Sequence, residues 1–184
     1  KITITPEEAK KHIWIEFEGA MHLADVWING KHVMQHAGGY TPFVVDATGL
    51  LKTDKENELL VRLDNRNNSL IPPGKPLETL DFCYYGGIYR NVHLIAKADV
   101  HITHPILDGH PAGAGIFITY PKVSQELSVV DAKTEIKNTS DKEKVVELRH
   151  TLYTWERQKG KDKKVQNISE TLTLHPGVTI ENNQ

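Results

Sequence analysis

The amino-acid sequence predicts an all-β protein built from two antiparallel sandwiches. Short stretches of alternating apolar and polar residues recur along the whole chain, and turn residues, mainly Gly, Asn, Asp and Pro, separate them. These stretches follow one another so closely that no crossover helix fits between them, which favours antiparallel pairing. The pattern changes near residues 97–100, so we predict one domain over residues 1–98 and a second over residues 99–184.

The clearest strand patterns lie in the first third of the chain. Ile13, Ile15 and Phe17 alternate with His, Trp and Glu in HIWIEFEG, which predicts a half-buried strand over residues 12–19. The next stretch, ADVWING, ends in Asn-Gly, a dipeptide that accepts positive φ at both central positions of a type I′ hairpin turn. Further strands are predicted at residues 31–36, in the apolar run that ends at Asp46, and at residues 58–63.

A long irregular segment, residues 64–85, separates these strands from the next. It is rich in Asn, Pro and Gly, and its prolines exclude it from a central strand because proline cannot donate a ladder hydrogen bond. Connections of this length are commonly functional. The segment ends at GGIYRNVHLI, where Ile88, Val92 and Leu94 predict a single strand.

The second half repeats the pattern with longer strands. Apolar residues alternate on both sides of the polar turn at residues 138–142, and we predict a hairpin there in which the strand of Ile136 pairs with the strand of Leu148. The patterning is typical of an immunoglobulin-like sandwich, although only about five strands are recognisable where seven are usual. We therefore expect the remaining strands to follow Gln184, or the domain to be a reduced form.

The composition excludes several classes of partner. The 22 Lys and Arg residues and 24 Asp and Glu residues give a net charge of −2, which offers no footprint for nucleic acid or an anionic membrane. No apolar run approaches the roughly 18 residues of a membrane-spanning helix. Cys83 is the only cysteine, so the fold uses no internal disulfide. Because the chain begins at Lys1 in a strand-like stretch without Met, we expect it to be a piece of a longer protein.

Four motifs carry a resemblance to a known family. In order, FEGAMHLADVWINGKHV, HAGGYTPFVVDAT, NELLVRLDN and GGIYRNVHLI resemble the N-terminal sugar-binding domain of glycoside hydrolase family 2, which includes β-galactosidases, β-glucuronidases and β-mannosidases. ADVHITHP and the second half are similar to the immunoglobulin-like domain that follows in that family. The resemblance implies a jelly-roll, galactose-binding-like sandwich followed by an immunoglobulin-like β-sandwich. The loop DNRNNSLIPPGKPLETLDF looks most like that of β-galactosidases.

The resemblance implies retaining hydrolysis by two glutamates that this chain does not contain. In the family they belong to a TIM barrel that follows the two sandwiches, and a barrel requires about 250 residues. We therefore expect no catalytic residue and no metal ligand here. The expected partners are a β-linked carbohydrate, reached through the full-length enzyme, and the enzyme's own barrel domain. No cofactor is expected in this portion; a cation in the full-length enzyme, oligomerisation and a periplasmic or secreted location are consistent with the resemblance.

Asp64 and Asn65 are the candidate substrate-binding residues. In β-galactosidases of the family, a polar residue just after the equivalent of VRLDN reaches the mouth of the barrel and helps to hold the sugar in the innermost subsite. The resemblance implies that role for Asp64 or Asn65. The alternative is structural: either residue forms an Asx turn at the strand end, in which its side-chain oxygen accepts a hydrogen bond from a nearby backbone N–H.

Other polar residues fit a structural role better than a functional one. Glu16 and Glu18 fit a solvated strand face rather than a pair of catalytic carboxylates. Imidazole is a common zinc ligand, so we considered a zinc site at His22, His32 and His36. The spacing of these histidines matches no standard zinc motif.

The aromatic residues also fit structural roles better than sugar binding. The tryptophans offer apolar plates for sugar stacking, but packing in a core or on a sheet surface is favoured for all three: Trp14, Trp27 and Trp155. The segment after the Gly-Gly pair is predicted to supply core and turn residues, with sugar contact as the alternative: Tyr40, Phe43 and Asp46.

Two functional classes follow. The first is the non-catalytic N-terminal portion of a family 2 β-glycosidase, most similar to a β-galactosidase, in which one sandwich shapes a wall of the active site and the other spaces it from the barrel. The alternative is a free-standing carbohydrate-binding or cell-surface adhesion module without catalysis. Galactoside, glucuronide and mannoside specificity stay open, because the barrel makes most of the pocket.

Overall fold

The computed structural model describes residues 1–82, 84–109, 114–154 and 162–184. Within these ranges the regular structure consists of β-strands and two 3-10 turns, at Glu8–Lys10 and Leu77–Thr79, which confirms the predicted all-β class. None of the helical segments in the described ranges is long and apolar enough to cross a membrane. Internal contacts divide the chain into two units, Lys1–Ala98 and Asp99–Gln184.

The first unit contains two three-stranded antiparallel sheets and one short ladder. Its strands are β1 (His12–Phe17), β2 (Ala20–Met21), β3 (Leu23–Ile28), β4 (Lys31–Ala37), β5 (Phe43–Asp46), β6 (Leu59–Asp64), β7 (Gly87–Ile88) and β8 (Val92–Lys97). One sheet has the order β5-β1-β8 and the other the order β4-β3-β6, while β2 pairs with β7. The long loop therefore begins where β6 ends and returns at β7.

Alternate residues of the two sheets form the core of this unit. Successive side chains of a strand point to opposite faces, so Ile13, Ile15 and Phe17 of β1 share a face and pack with Val26 and Ile28 of β3. All five are at most 2% exposed. Full burial of such a side chain stabilises the fold by roughly 1.5–3 kcal/mol relative to exposure. This cluster holds the two sheets together.

The β3–β4 hairpin contains the predicted tight turn. Asn29 and Gly30 have φ angles of 50° and 82°, so both central positions are left-handed, as a type I′ turn requires. Pairing runs from Ile28 opposite Lys31 to Leu23 opposite Ala37. The Asn-Gly prediction is confirmed.

Trp14 departs from the predicted alternation. It is only 5% exposed although it lies on the opposite face from Ile13 and Ile15, and Val44 of β5 is 1% exposed on that face as well. The prediction of a half-buried strand was therefore wrong for this sheet. A large apolar side chain gains from burial on either face, and alternation with polar neighbours does not reveal that the second face is covered.

The strand predicted from Ile88 to Leu94 is in fact two strands. β7 pairs with β2, whereas β8 pairs with β1. Three residues, 89–91, carry the chain from one ladder to the other. Apolar residues on both sides of this short break give a continuous pattern in the sequence, so only the pairing reveals the break.

The described residues of the second unit also form two sheets. Its strands are β9 (Val100–Ile102), β10 (Ile116–Val123), β11 (Ser128–Asn138), β12 (Lys144–Tyr153), β13 (Lys164–Leu174) and β14 (Thr179–Asn183). β11 pairs with β9, β10 and β14, and β12 pairs with β13. The core between the sheets consists of Ile136, Leu148, Leu172 and Leu174.

The hairpin predicted between the strands of Ile136 and Leu148 is wrong. β11 and β12 belong to different sheets, and these two residues meet across the core instead of along a ladder. Thr134 Oγ1 and His150 Nε2, 2.8 Å apart, also join the two sheets. Alternation identifies the buried face of each strand, but two strands with matching faces can pack face to face as well as edge to edge.

Asn138 explains why the chain changes sheet after β11. This residue is fully buried, and its Nδ2 donates to the carbonyl oxygens of Lys142 and Leu174 at 2.8 and 2.9 Å. Its Oδ1 accepts from the backbone N–H of Ser140 at 3.0 Å. The side chain thus replaces backbone pairing within the turn, which satisfies buried polar groups and directs the chain into the second sheet.

Candidate functional site

A polar cavity of about 250 Å³ lies at the end of β6, where the long loop begins. It is lined by His22, Leu23, Asp64, Arg66, Asn67 and Asn68. The lining combines an imidazole, a carboxylate, a guanidinium and two amides. These groups supply both hydrogen-bond donors and acceptors, the combination that a hydroxyl-rich ligand requires.

Asp64 forms an Asx turn at the end of β6. Its Oδ1 accepts from the backbone N–H of Arg66 at 3.0 Å, and the Arg66 Nε donates to the two carboxylate oxygens at 3.0 and 3.1 Å. The side-chain hydrogen bonds from Arg66 hold the pKa of Asp64 well below its usual range, so the carboxylate stays ionised. The structural interpretation is confirmed for Asp64, and sugar contact stays a prediction. Because the Arg66 side chain is 87% exposed, a ligand can displace it from the Asp64 carboxylate.

Asn65 lies where the two ends of the long loop meet. It is exposed, and its amide packs against the backbone of Gly86. A Cβ atom at position 86 would lie 2.6 Å from Asn65 Nδ2, closer than van der Waals contact allows. With glycine at position 86, the Asn65 amide can approach the backbone this closely. Asn65 therefore follows Asp64 directly and lies beside Gly86 at the other end of the loop.

His22 belongs to this site, although the sequence suggested only a disfavoured zinc role for it. It is 2% exposed, its backbone N–H donates to the Asp64 carbonyl at 3.3 Å, and its carbonyl accepts from the Gly38 N–H at 2.9 Å. Its Nδ1 is hydrogen-bonded to the Tyr84 hydroxyl, near the end of the long loop. No local pattern signals this role, because each partner is distant in sequence.

Aromatic side chains extend the site from Tyr84. Burial, and then the nearby Tyr40, raise the pKa of the Tyr84 hydroxyl, which therefore stays protonated. Tyr40 meets Phe82 edge to face with ring centroids 6.0 Å apart, and each residue is 48% exposed. Tyr40 lies in the bend between β4 and β5 and not in the core, so of the predicted core and turn roles it takes the turn position. The crowding of Phe82, Tyr84 and Tyr85 into a polar loop is the sequence signal that could have revealed this surface.

Phe43 and Asp46 follow the prediction. Phe43 is 2% exposed and stacks on Phe17 with centroids 4.6 Å apart. Asp46 Oδ1 accepts from the backbone N–H of Thr48 at 3.0 Å, as a turn residue does. Both residues are therefore structural.

The other two histidines of the zinc hypothesis have separate partners. His32 Nε2 lies 3.2 Å from Asp25 Oδ1. His36 Nε2 lies 3.1 Å from the Gly38 carbonyl oxygen, and burial lowers the pKa of this imidazole. In the part of the chain that the structure describes, no three His, Cys, Asp or Glu side chains are grouped so as to hold a metal ion.

The remaining candidates take surface positions in the first unit. Glu18 is partly exposed and its Oε1 lies 3.0 Å from His93 Nε2, which suits a solvated strand face. Trp27 is partly buried, and the Arg62 guanidinium lies over its ring at 6.0 Å from the centroid, which is packing on a sheet surface. Trp155 lies outside the described residues.

Comparisons with known proteins identify the family. Residues 2–98 match the family model described as glycosyl hydrolases family 2, sugar binding domain. A β-glucuronidase of Bacteroides fragilis is 35% identical over 139 residues, which covers 73% of this chain and 18% of the relative. A β-galactosidase of Thermoanaerobacter pseudethanolicus is 39% identical over 132 residues, which covers 70% of this chain and 18% of the relative.

A solved structure extends the likeness to the whole chain. Bacteroides uniformis β-glucuronidase 2, covalently bound to cyclophellitol-6-carboxylate aziridine, superposes with a TM-score of 0.81 at 31% identity. The match covers 100% of this chain and 20% of that one, so the chain spans about a fifth of the length of the proteins it matches. Because the family model and these relatives agree, the chain belongs to family 2 of the glycosyl hydrolases.

Proposed function

We propose that this chain is the non-catalytic N-terminal portion of a larger family 2 enzyme that hydrolyses terminal β-galactosides with retention of configuration. Residues 1–98 shape one wall of the sugar site, and residues 99–184, an immunoglobulin-like sandwich, space that wall from a catalytic barrel. The observation that carries the proposal is the polar cavity at the end of β6, where Asp64 is ionised and fixed in an Asx turn.

The chemistry of the cavity suits a sugar. An ionised carboxylate only accepts hydrogen bonds, whereas an amide both donates and accepts. A sugar hydroxyl in the cavity therefore donates to Asp64 while it accepts from the amide of Asn67 or Asn68. A site that hydrogen-bonds a hydroxyl also rejects analogues that lack it, because its polar groups would be left unpaired.

Asp64 contributes binding rather than bond cleavage. A general acid needs a pKa near the working pH, and the Arg66 hydrogen bonds move the pKa of Asp64 in the opposite direction. Retaining enzymes use two carboxyl groups about 5–5.5 Å apart, and on this proposal both belong to the barrel.

β-Glucuronides are the second candidate substrates. Arg66 at the cavity is 87% exposed, and a guanidinium binds a carboxylate such as that of a uronic acid through two parallel hydrogen bonds. The similar protein from Bacteroides fragilis is a β-glucuronidase, which supports the same substrate.

Kinetics of the full-length protein test the proposal. Nitrophenyl β-galactoside is expected to give a higher kcat/KM than nitrophenyl β-glucuronide, and Asp64→Asn is expected to lower it about 10- to 100-fold, because a hydrogen bond to a charged group is lost. Asp54→Asn is the matched control, since Asp54 precedes β6 rather than following it. Equal rates for both variants would contradict the role of Asp64, and a preference for the glucuronide would select the second candidate.

The free-standing binding module remains the alternative function. Hydrolysis by the full-length protein separates the two, because an adhesion or binding module has no turnover. Absence of hydrolysis, together with saturable binding of galactose or lactose by the 184-residue chain in a calorimetric titration, would replace the enzyme proposal with the module.

A further inference from the structure

The imidazole of His22 has one ring nitrogen that a ligand in the cavity can use. His22 lines the cavity at the end of β6, although the residue as a whole is only 2% exposed. Its Nδ1 is hydrogen-bonded to the Tyr84 hydroxyl, so Nε2 is the nitrogen left for a ligand. A polar group in such a buried place is stabilised by a hydrogen-bond partner more than an exposed group is.

His22 and Asp64 lie next to each other in the lining of the cavity. The backbone N–H of His22 donates to the Asp64 carbonyl oxygen at 3.3 Å, and both side chains line the same cavity. The imidazole is also close enough to act on the carboxylate: the Arg66 hydrogen bonds, and after them His22, lower the pKa of Asp64. One sugar hydroxyl can therefore meet an ionised acceptor and an imidazole nitrogen together.

Tyr84 decides which nitrogen of His22 carries the proton. A neutral imidazole has one N–H donor and one acceptor nitrogen, and the hydrogen bond made by one nitrogen sets the state of the other. Burial, and then the nearby Tyr40, raise the pKa of the Tyr84 hydroxyl, which keeps its proton and can donate it to Nδ1. The two rings stand edge to face with centroids 5.5 Å apart. This arrangement favours the tautomer with the proton on Nε2.

We propose that His22 determines sugar specificity by donating its Nε2–H to a sugar hydroxyl that itself donates to Asp64, and that Tyr84 is the positioning residue that fixes this tautomer. The inference rests on the proposed function and adds a residue from the junction of β2 and β3 to the sugar site. An analogue that lacks the shared hydroxyl leaves both His22 and Asp64 without a partner, so the site rejects it.

NMR of the 184-residue chain tests the tautomer without any sugar. Long-range correlations between ring hydrogens and ring nitrogens show which nitrogen is protonated, and we expect the proton of His22 on Nε2. Tyr84→Phe removes the donor to Nδ1, so we expect a mixture of the two tautomers. His93, whose side chain is 47% exposed, is the control in the same spectra and is expected to stay unchanged. A proton on Nδ1 in the wild type, or an unchanged tautomer in Tyr84→Phe, would overturn the role of Tyr84.

Kinetics of the full-length protein test the contact with the sugar. The substrates are nitrophenyl β-galactoside and its monodeoxy analogues, each of which lacks one hydroxyl. For one analogue, His22→Asn is expected to lower the preference for the parent sugar, measured as a ratio of kcat/KM values, about three- to tenfold. His22→Gln is expected to keep most of the preference, because a glutamine amide nitrogen reaches the position of Nε2, whereas that of asparagine reaches only Nδ1.

The ratio of two substrates within one variant is independent of how much of that variant is folded. His93→Gln is the matched control and is expected to leave every ratio unchanged. Unchanged ratios in His22→Asn, or an equal loss in His22→Asn and His22→Gln, would overturn the contact while hydrolysis continues. Absence of hydrolysis by the full-length protein would instead overturn the proposed function, and the contact with it.

Discussion

His22 and Tyr84 are joined by a hydrogen bond between the imidazole Nδ1 and the phenol hydroxyl, although they are 62 residues apart in the chain. The bond fastens the end of the long loop to the junction of β2 and β3. The same His22 donates its backbone N–H to the Asp64 carbonyl at the start of the loop. Both ends of the loop therefore depend on one buried residue.

Tyr84→Phe tests this attachment. The substitution leaves the buried His22 Nδ1 without its partner, so we expect the free energy of unfolding of the first unit to fall by about 1–2 kcal/mol. Urea denaturation followed by far-UV circular dichroism measures the change. Tyr120→Phe removes the hydroxyl of a residue that is 63% exposed in the second unit and serves as the control. Equal urea midpoints for Tyr84→Phe and Tyr120→Phe would show that the hydrogen bond between His22 and Tyr84 does not stabilise the first unit.

Asp25→Asn tests the buried carboxylate of β3. Asp25 is 4% exposed and accepts hydrogen bonds from Gln35 at 2.8 Å and Arg62 at 2.7 Å. The hydrogen bond from Gln35, followed by those from His32 and Arg62, lowers the pKa of Asp25 against the opposing effect of burial. We expect the variant to lose about 1.5–3 kcal/mol of unfolding free energy at pH 7, since bonds to a charged group are weakened.

The pH dependence of stability follows from the direction of that shift. In the unfolded chain the carboxyl titrates near its ordinary pKa of about 3.9, and in the folded chain it titrates lower. The stabilisation is therefore complete above the unfolded value and is lost as the pH falls toward the folded pKa. Between pH 7 and about pH 5 the difference in unfolding free energy between the wild type and Asp25→Asn should stay constant, and it should narrow as the pH falls from about 4 to 3. The exposed control Glu56→Gln should show no comparable narrowing. A constant gap across this range would contradict the assignment.

Gly86→Ala and Gly87→Ala are expected to act differently although they are neighbours. A Cβ at position 86 meets the flexible amide of Asn65, so we expect a displaced Asn65 side chain, seen as shifted amide resonances in NMR, with little loss of stability. Gly87 has a φ of 95° and open space around its Cβ position, so alanine there costs about 1–2 kcal/mol through backbone strain. The reverse order of effects would contradict this explanation.

Leu174→Ala tests the core of the second unit. Leu174 is 0% exposed, and a large-to-small change at a buried leucine costs about 2–5 kcal/mol through lost burial and the cavity left behind. Leu152→Ala on β12 is the comparison, because Leu152 is 44% exposed. We expect a clearly lower melting temperature for Leu174→Ala than for Leu152→Ala. Equal melting temperatures would contradict the assignment of Leu174 to the core of the second unit.

The isolated chain is expected to hydrolyse no glycoside. On the proposed function the reacting glutamates belong to the barrel, and Asp64 is held ionised by Arg66 rather than poised as an acid. Turnover of nitrophenyl β-galactoside by the purified chain, above a heat-denatured control, would contradict the prediction.

Structural features that depend on a few neighbouring residues could be predicted from the sequence. The Asn29-Gly30 turn was predictable because both residues tolerate positive φ, a property of the residues themselves. The buried face of β1 at Ile13, Ile15 and Phe17 was predictable because the period of two is built into an extended backbone. The Asx turn of Asp64 was one of two predicted roles, because a short carboxylate at a strand end reaches the backbone N–H two residues further on.

Pairing and proximity were decided only by the tertiary structure. Ile136 and Leu148 carry matching apolar faces, which fit a hairpin as well as a packed pair of sheets, and the buried amide of Asn138 selects the second arrangement. Likewise, nothing near His22 in the sequence predicts Tyr84 as its partner. The sequence by itself determined the family, the positions of most strands and the Asn29-Gly30 turn, because each can be recognised from residues that are close together in the chain. The tertiary structure alone assembled the cavity and, separately, the Tyr40–Phe82 contact, because their side chains come from strand ends and loops that are distant in the chain and meet only on folding.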